Sequence, residues 1–106
     1  MKIAFAVSGK DLSSPIDDKF GRAPRFLIFD TGTKSFTVVE NAAANDAQGA
    51  GIRAAETVVK AGAKALVAGE CGPKAAEVLA KAGVKIYPAK PADVKNALAL
   101  YFRETV

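Results

Sequence analysis

Hydrophobic and polar positions alternate along this chain in two distinct rhythms. The apolar run Lys2-Ile3-Ala4-Phe5-Ala6-Val7 predicts a buried strand. Phe26-Leu27-Ile28-Phe29-Asp30 predicts a second, and Ser35-Phe36-Thr37-Val38-Val39-Glu40 a third. Only the short glycine-containing turn Thr31-Gly32-Thr33-Lys34 separates the second strand from the third, so the pair is an antiparallel hairpin. From Gly49 the period becomes helical. Ile52, Ala55, Val58 and Val59 share one face, Arg53, Glu56 and Lys60 another, and Gly62 ends the helix. Lys64 to Ala68 reads as a fourth strand. A second helix runs from Pro73 to Ala82 with Ala75, Val78, Leu79 and Ala82 inward, closed by Gly83. Val84-Lys85-Ile86-Tyr87 is a fifth strand, and Pro88 and Pro91 bracket a turn. A last helix over Ala92 to Phe102 buries Val94, Ala97, Leu98 and Tyr101. Two stretches carry no period: Asp11 to Pro24 and Asn41 to Gln48. Long ordered loops in a small domain are usually functional. Phe20 is expected to anchor the first on the core, leaving Arg22 and Arg25 beside it.

Alternation of strands and helices predicts an α/β fold. The hairpin and right-handed crossovers give a mixed five-stranded sheet of order 3-2-1-4-5, with strand two antiparallel to the rest. Ser8-Gly9-Lys10, Gly21 to Arg25, Asn41 to Gly51 and Gly69 to Lys74 then gather at one sheet edge. Strands one and four flank the point where the connection reverses, and ligands of open α/β sheets bind at such points.

Within that edge, Ala68-Gly69-Glu70-Cys71-Gly72-Pro73-Lys74-Ala75 takes the chain from strand to helix. Pro73 suits the first helical position, and Gly72 the cap, where a ligand can approach the backbone. Free N–H groups and the helix dipole make such a turn an anion site. Lys74 places a cation where the dipole disfavours one. An ordinary tight strand-to-helix turn accounts for the stretch equally well. Gly51-Ile52-Arg53-Ala54-Ala55-Glu56 matches Gly72-Pro73-Lys74-Ala75-Ala76-Glu77, and Lys60-Ala61-Gly62 matches Lys81-Ala82-Gly83. Shared composition of α/β units explains this better than duplication does. Either way, a glycine and then a cation are expected at each helix start.

Composition narrows the chemistry. The 106 residues, half of them hydrophobic, suit a single domain over 1–106. A net charge of +4 favours an anionic ligand, but no dense basic tail suggests nucleic acid. One cysteine and no histidine exclude an internal disulfide, a four-cysteine iron–sulfur site and a Cys/His zinc site within one chain. Without histidine, Ser8, Ser13 and Ser14 have no base for a Ser-His-Asp hydrolase. No Gly-Lys-Ser/Thr phosphate loop is present. Asp17-Asp18 suits a solvated loop pair better than a metal site. No catalytic residues are assigned, and binding without catalysis is expected. No apolar run is long enough to span a membrane, and the run after Met1 is too short for a signal peptide, so the expected setting is cytoplasmic.

One resemblance covers nearly the whole chain. Met1-Lys2-Ile3-Ala4 to Val7-Ser8-Gly9, Ser14 to Phe20-Gly21-Arg22-Ala23, Glu40-Asn41, Gly49-Ala50-Gly51-Ile52 and Gly69 to Ala75 occur in this order. In order and spacing they resemble the dinitrogenase iron–molybdenum cofactor-biosynthesis family. That resemblance implies a three-layer α/β/α sandwich similar to ribonuclease H, without its nuclease carboxylates. It implies a carrier or binding protein for an anionic metal–sulfur cluster, either a molybdenum–copper sulfide or an iron–molybdenum cofactor precursor. Proteins that donate or accept the cluster would be its partners, with no nucleic acid or membrane. The implied cofactor-binding residues are Ser8, Gly9, Phe20, Gly21, Arg22, Gly49, Gly51, Gly69, Gly72, Pro73 and Lys74, and the reading of the helix starts adds the cation Arg53. Cys71 is a candidate metal ligand, a soft donor for copper or iron whose thiolate a helix start beside Lys74 would favour. The family's cofactor binders often use a histidine in these loops, which this chain lacks. The competing reading is a phosphate- or nucleotide-binding regulatory module.

Overall fold

A computed structural model describes residues 1–89 and 93–104. Its strands are β1 (Lys2–Val7), β2 (Arg25–Asp30), β3 (Ser35–Glu40), β4 (Ala63–Ala68) and β5 (Lys85–Pro88). Its helices are α1 (Ala50–Lys60), α2 (Pro73–Lys81) and α3 (Val94–Phe102). Pro91 and the predicted helix start at Ala92 lie outside the described residues.

The sheet order is β3-β2-β1-β4-β5. β2 is antiparallel to both of its neighbours, while β4 pairs parallel with β1 and with β5. This is the expected mixed topology. Pleating sends alternate residues to opposite faces. Ala4, Ala6, Phe26, Ile28, Leu66 and Ala68 face α1 and α2. Ile3, Phe5, Val7, Leu27, Phe29, Ala65 and Val67 face α3. The layers are therefore α/β/α. Alanines at Ala4, Ala6 and Ala68, with Ala54 and Ala55 of α1, let the first helical layer sit close to the sheet. At the helix starts the approach is tighter still: a methyl group on Gly51 would touch the Ala75 Cβ at 3.4 Å.

Some predicted faces shift. In α1 the buried set is Ala50, Ala54, Ala55 and Val58, while Ile52 and Val59 stay half-buried. The face turns toward Ala50 and Ala54, which are small enough to fit against the alanine-lined sheet, and leaves Ile52 and Val59 at its margin. Val78, Ala82 and Tyr101 are likewise half-buried. Among the described residues, no helix is long and apolar enough to cross a membrane.

The crevice between the ends of β1 and β4 is filled by the chain itself. Ile16 pairs with Val7, the Asp17 N–H donates to the Ala6 carbonyl at 2.8 Å, and the Gly69 N–H donates to the Asp17 carbonyl at 3.0 Å. The Glu70 N–H donates to the Asp18 carbonyl, and the Phe20 N–H to the Glu70 carbonyl at 3.0 Å. Residues 16–20 thus act as a short wedge between two parallel strands as they diverge. The space between the ends of β1 and β4, the expected ligand position, is therefore occupied by residues 16–20.

Candidate functional site

Strand ends of β1, β3, β4 and β5 and the start of β2 share one edge, as the registers Val7 to Arg25, Arg25 to Glu40 and Ala68 to Pro88 require. Above it the starts of α1 and α2 open onto one groove of about 410 Å³. Gly49, Gly51 and Ile52 line one wall, Gly72, Pro73, Lys74 and Ala75 the other. Gly49 caps α1 in the left-handed region at φ 73°, which glycine adopts without steric cost. Gly72 caps α2 in an extended conformation with Pro73 behind it. Neither cap supplies a side-chain hydrogen bond. The first N–H groups of a helix have no acceptor within it, so those of Ala50, Gly51, Ile52, Lys74 and Ala75 lack one. A methyl group on Gly49 or Gly72 would meet nothing within 4 Å, so both stand beside open space. Two positive dipole ends and the exposed Lys74 face a groove that no carboxylate lines.

The sequence match between the helix starts proves offset. Gly72 is a cap, but its partner Gly51 lies inside α1, and Gly49 is the equivalent cap. α1 is two residues longer at its start, so Arg53 sits a turn into the helix, where it pairs with the Asp46 carboxylate. Arg22 donates to the carbonyls of Ala44 at 3.0 Å and Asp46 at 2.5 Å. The buried Asn41 amide donates to the Ala23 carbonyl at 2.8 Å and the Gly21 carbonyl at 3.2 Å. Arg22 and Asn41 therefore hold the 41–48 loop against the turn at 20–23, and Arg53 ties it to α1.

Gly49, Gly51, Gly72, Pro73 and Lys74 meet at the groove, and Ile52 and Ala75 join them. Neither of those two is among the expected cofactor-binding residues, since apolar residues in a helical pattern signal core. Phe20 is fully buried and anchors a 3-10 turn on Phe26, with ring centroids 5.4 Å apart. Gly21 lets that turn approach α1: an added methyl would come within 3.1 Å of the Gly51 nitrogen. Gly69 lies against the wedge, where a methyl would fall 2.0 Å from the Asp18 carbonyl oxygen. Gly9 packs on Ser14, and the Ser8 carbonyl accepts from Arg25, so neither lines the groove. The Arg25 Nε also lies 3.1 Å from the Glu40 carboxylate, without the angle of a hydrogen bond.

Burial pushes the Cys71 thiol up, because its half-buried side chain packs on the core that α1 and α2 cover. The direction is opposite to the thiolate stabilisation expected from a helix start beside Lys74, because burial disfavours the charged form. A smaller pocket of about 270 Å³ holds Asp17, Asp18, Lys19 and Arg22. Burial and then the neighbouring Asp18 charge raise the Asp17 carboxyl above its ordinary range, and its Oδ2 is buried without a hydrogen-bond partner. Among the described residues, no cluster of three or more metal-ligating side chains occurs. A further groove of about 350 Å³, lined by Glu56, Val59, Lys60, Val78, Lys81 and Ala82, lies toward the C-terminal ends of α1 and α2, where the helix dipoles disfavour an anion.

The sequence model of a family described as dinitrogenase iron-molybdenum cofactor matches residues 1–104. The apo form of the orange protein from Desulfovibrio gigas is 35% identical, with a TM-score of 0.91 over 96% of this chain and 87% of that one. A candidate NifB protein from Thermotoga, solved by NMR, is 37% identical, with a TM-score of 0.83 over 96% of this chain and 87% of its own. None of the curated proteins matches.

Proposed function

The chain belongs to the dinitrogenase iron-molybdenum cofactor family, and from that premise we propose that it carries an anionic metal–sulfur cluster in the groove between the starts of α1 and α2. Family membership and the likeness to the orange protein and the NifB candidate support a part in cofactor handling or biosynthesis. One observation carries the finer reading: two helix N-termini with unsatisfied N–H groups, beside Lys74, converge on one space without carboxylates. A thiometallate spreads its charge over several sulfides. Backbone donors and a cation hold such an anion without a full set of protein ligands. The groove lining supplies one cation and no general base, so the reading is transport of the cluster, a molybdenum–copper sulfide or an iron–molybdenum precursor. Cluster-donor and cluster-acceptor proteins are the partners such a cargo requires.

Anaerobic titration with tetrathiomolybdate and copper(I), followed by charge-transfer absorption, tests this against parallel titrations with inorganic phosphate and nucleotides. Stoichiometric retention of molybdenum through gel filtration is expected. Tight nucleotide binding with no retained metal would replace the carrier by a phosphate-binding module. Cys71 lies beside the Gly72 cap and is the chain's single soft donor of its kind. If its sulfur joins the cluster's metal, Cys71→Ser shifts the absorption bands while the fold persists. Identical bands in both proteins would remove Cys71 from the ligand set.

A further inference from the structure

We propose that β3 is a self-pairing edge through which two copies of this chain join their sheets. The two edges of the sheet differ. β5 is four residues long, opens on Lys85 and closes on Pro88, which has no N–H to offer a partner strand. β3 is six residues long, contains no proline, and pairs with β2 without a register shift. Natural proteins blunt such edges with bulges, prolines or charges, because a free row of N–H and C=O groups pairs with any available strand.

The charges bounding β3 are already neutralised within the chain. Glu40 lies 3.1 Å from Arg25, and Lys34 pairs with Glu104. Between them, Ser35 to Val39 is uncharged and rich in β-formers. Phe36, Val38 and Val39 are half-buried and Thr37 is exposed.

The strand also complements itself. Phe36 lies opposite Phe29 and Val38 opposite Leu27, so both belong to the α3 side of the sheet. A two-fold axis perpendicular to the sheet at Thr37 pairs the strand antiparallel with its copy. Thr37 then faces Thr37, and Phe36 faces Val38 twice on one face, an aromatic–β-branched cross-strand pair. The pleat requires the axis to lie at a residue, and of the registers it allows the one centred on Thr37 pairs the whole uncharged run Ser35 to Val39 with itself. The contact is small, so association is weak and visible only at high concentration. It involves no residue of the cargo groove and stands independently of the carrier reading.

Sedimentation equilibrium on the wild-type chain up to about 1 mM tests the proposal, with Thr37→Lys, Thr37→Glu and their equimolar mixture alongside. The exposed Thr37 side chain tolerates both changes without loss of fold, which circular dichroism checks. The wild type should approach twice the monomer mass at the upper concentrations. Each variant alone should stay monomeric, because like charges meet on the axis, and the mixture should regain association. A wild type that is monomeric throughout, a Thr37→Lys variant that associates as the wild type does, or a mixture that fails to associate would each overturn the proposal.

Discussion

Replacing Gly69 by alanine probes the wedge that displaces the groove from the strand ends. The added methyl would lie 2.0 Å from the Asp18 carbonyl oxygen and 2.5 Å from the Asp18 Cα, backbone atoms that no rotamer change can move. To relieve the clash, residues 16–20 must pull away from the end of β4. Doing so breaks three backbone hydrogen bonds, Gly69 to Asp17, Glu70 to Asp18 and Phe20 to Glu70. Each contributes about 0.5–1.5 kcal/mol, so the loss is roughly 2–4 kcal/mol before any repacking of Phe20. For a domain of this size that lowers Tm by roughly 10–25 °C. Urea unfolding followed by far-UV circular dichroism measures it. Gly72→Ala is the control, since its methyl meets nothing within 4 Å and should cost under about 1 kcal/mol. A Gly69→Ala protein within about 0.5 kcal/mol of the wild type would refute the wedge.

Lys74→Ala should weaken thiomolybdate uptake about tenfold to a hundredfold, the equivalent of one charge-assisted hydrogen bond, with unfolding unchanged; equal isotherms would make Lys74 a solvated surface cation. Arg22→Ala should speed amide exchange across residues 43–46, because its guanidinium holds the Ala44 and Asp46 carbonyls. Unchanged exchange there, with affinity lost, would return Arg22 to direct cargo binding. Burial raises the Asp17 carboxyl, so the folded state holds that proton more tightly than the unfolded chain. That contribution to stability is present below the ordinary carboxylate pKa and lost as pH rises through the raised one. Asp17→Asn should therefore gain stability relative to wild type as pH rises above the ordinary carboxylate pKa, read from urea midpoints; a constant difference would contradict the assignment.

The sheet order was legible because the Thr31–Lys34 turn is too short for anything but a hairpin, and the crossovers through α1 and α2 leave β4 only one handed place beside β1. The wedge was not. Asp11 to Pro24 shows no period, and its pairings with Ala6, Val7 and Gly69 are long-range backbone contacts that leave no pattern in side chains. Pro15-Ile16, an apolar pair inside a polar loop, was the available hint. The helical period from Gly49 located the α1 start, yet matching Gly51 to Gly72 aligned a glycine inside α1 with the cap of α2. Gly49-Ala50-Gly51 offers two glycines, and only the left-handed φ at Gly49 decides between them. Arg22 and Arg53 read as ligand contacts because a free cation and a loop-binding cation look alike in sequence. Their partners, the Ala44 and Asp46 carbonyls and the Asp46 carboxylate, become visible only in three dimensions.

The central claim is that a polyatomic thiometallate rests on two helix starts at once. Amide chemical shifts recorded during anaerobic titration with tetrathiomolybdate and copper(I) test it directly. The Ala50, Gly51, Ile52, Lys74 and Ala75 amides should shift together and saturate at one stoichiometry, while amides of β3 and α3 stay in place. Shifts confined to one helix start, or centred on the pocket of Asp17, Lys19 and Arg22, would contradict it.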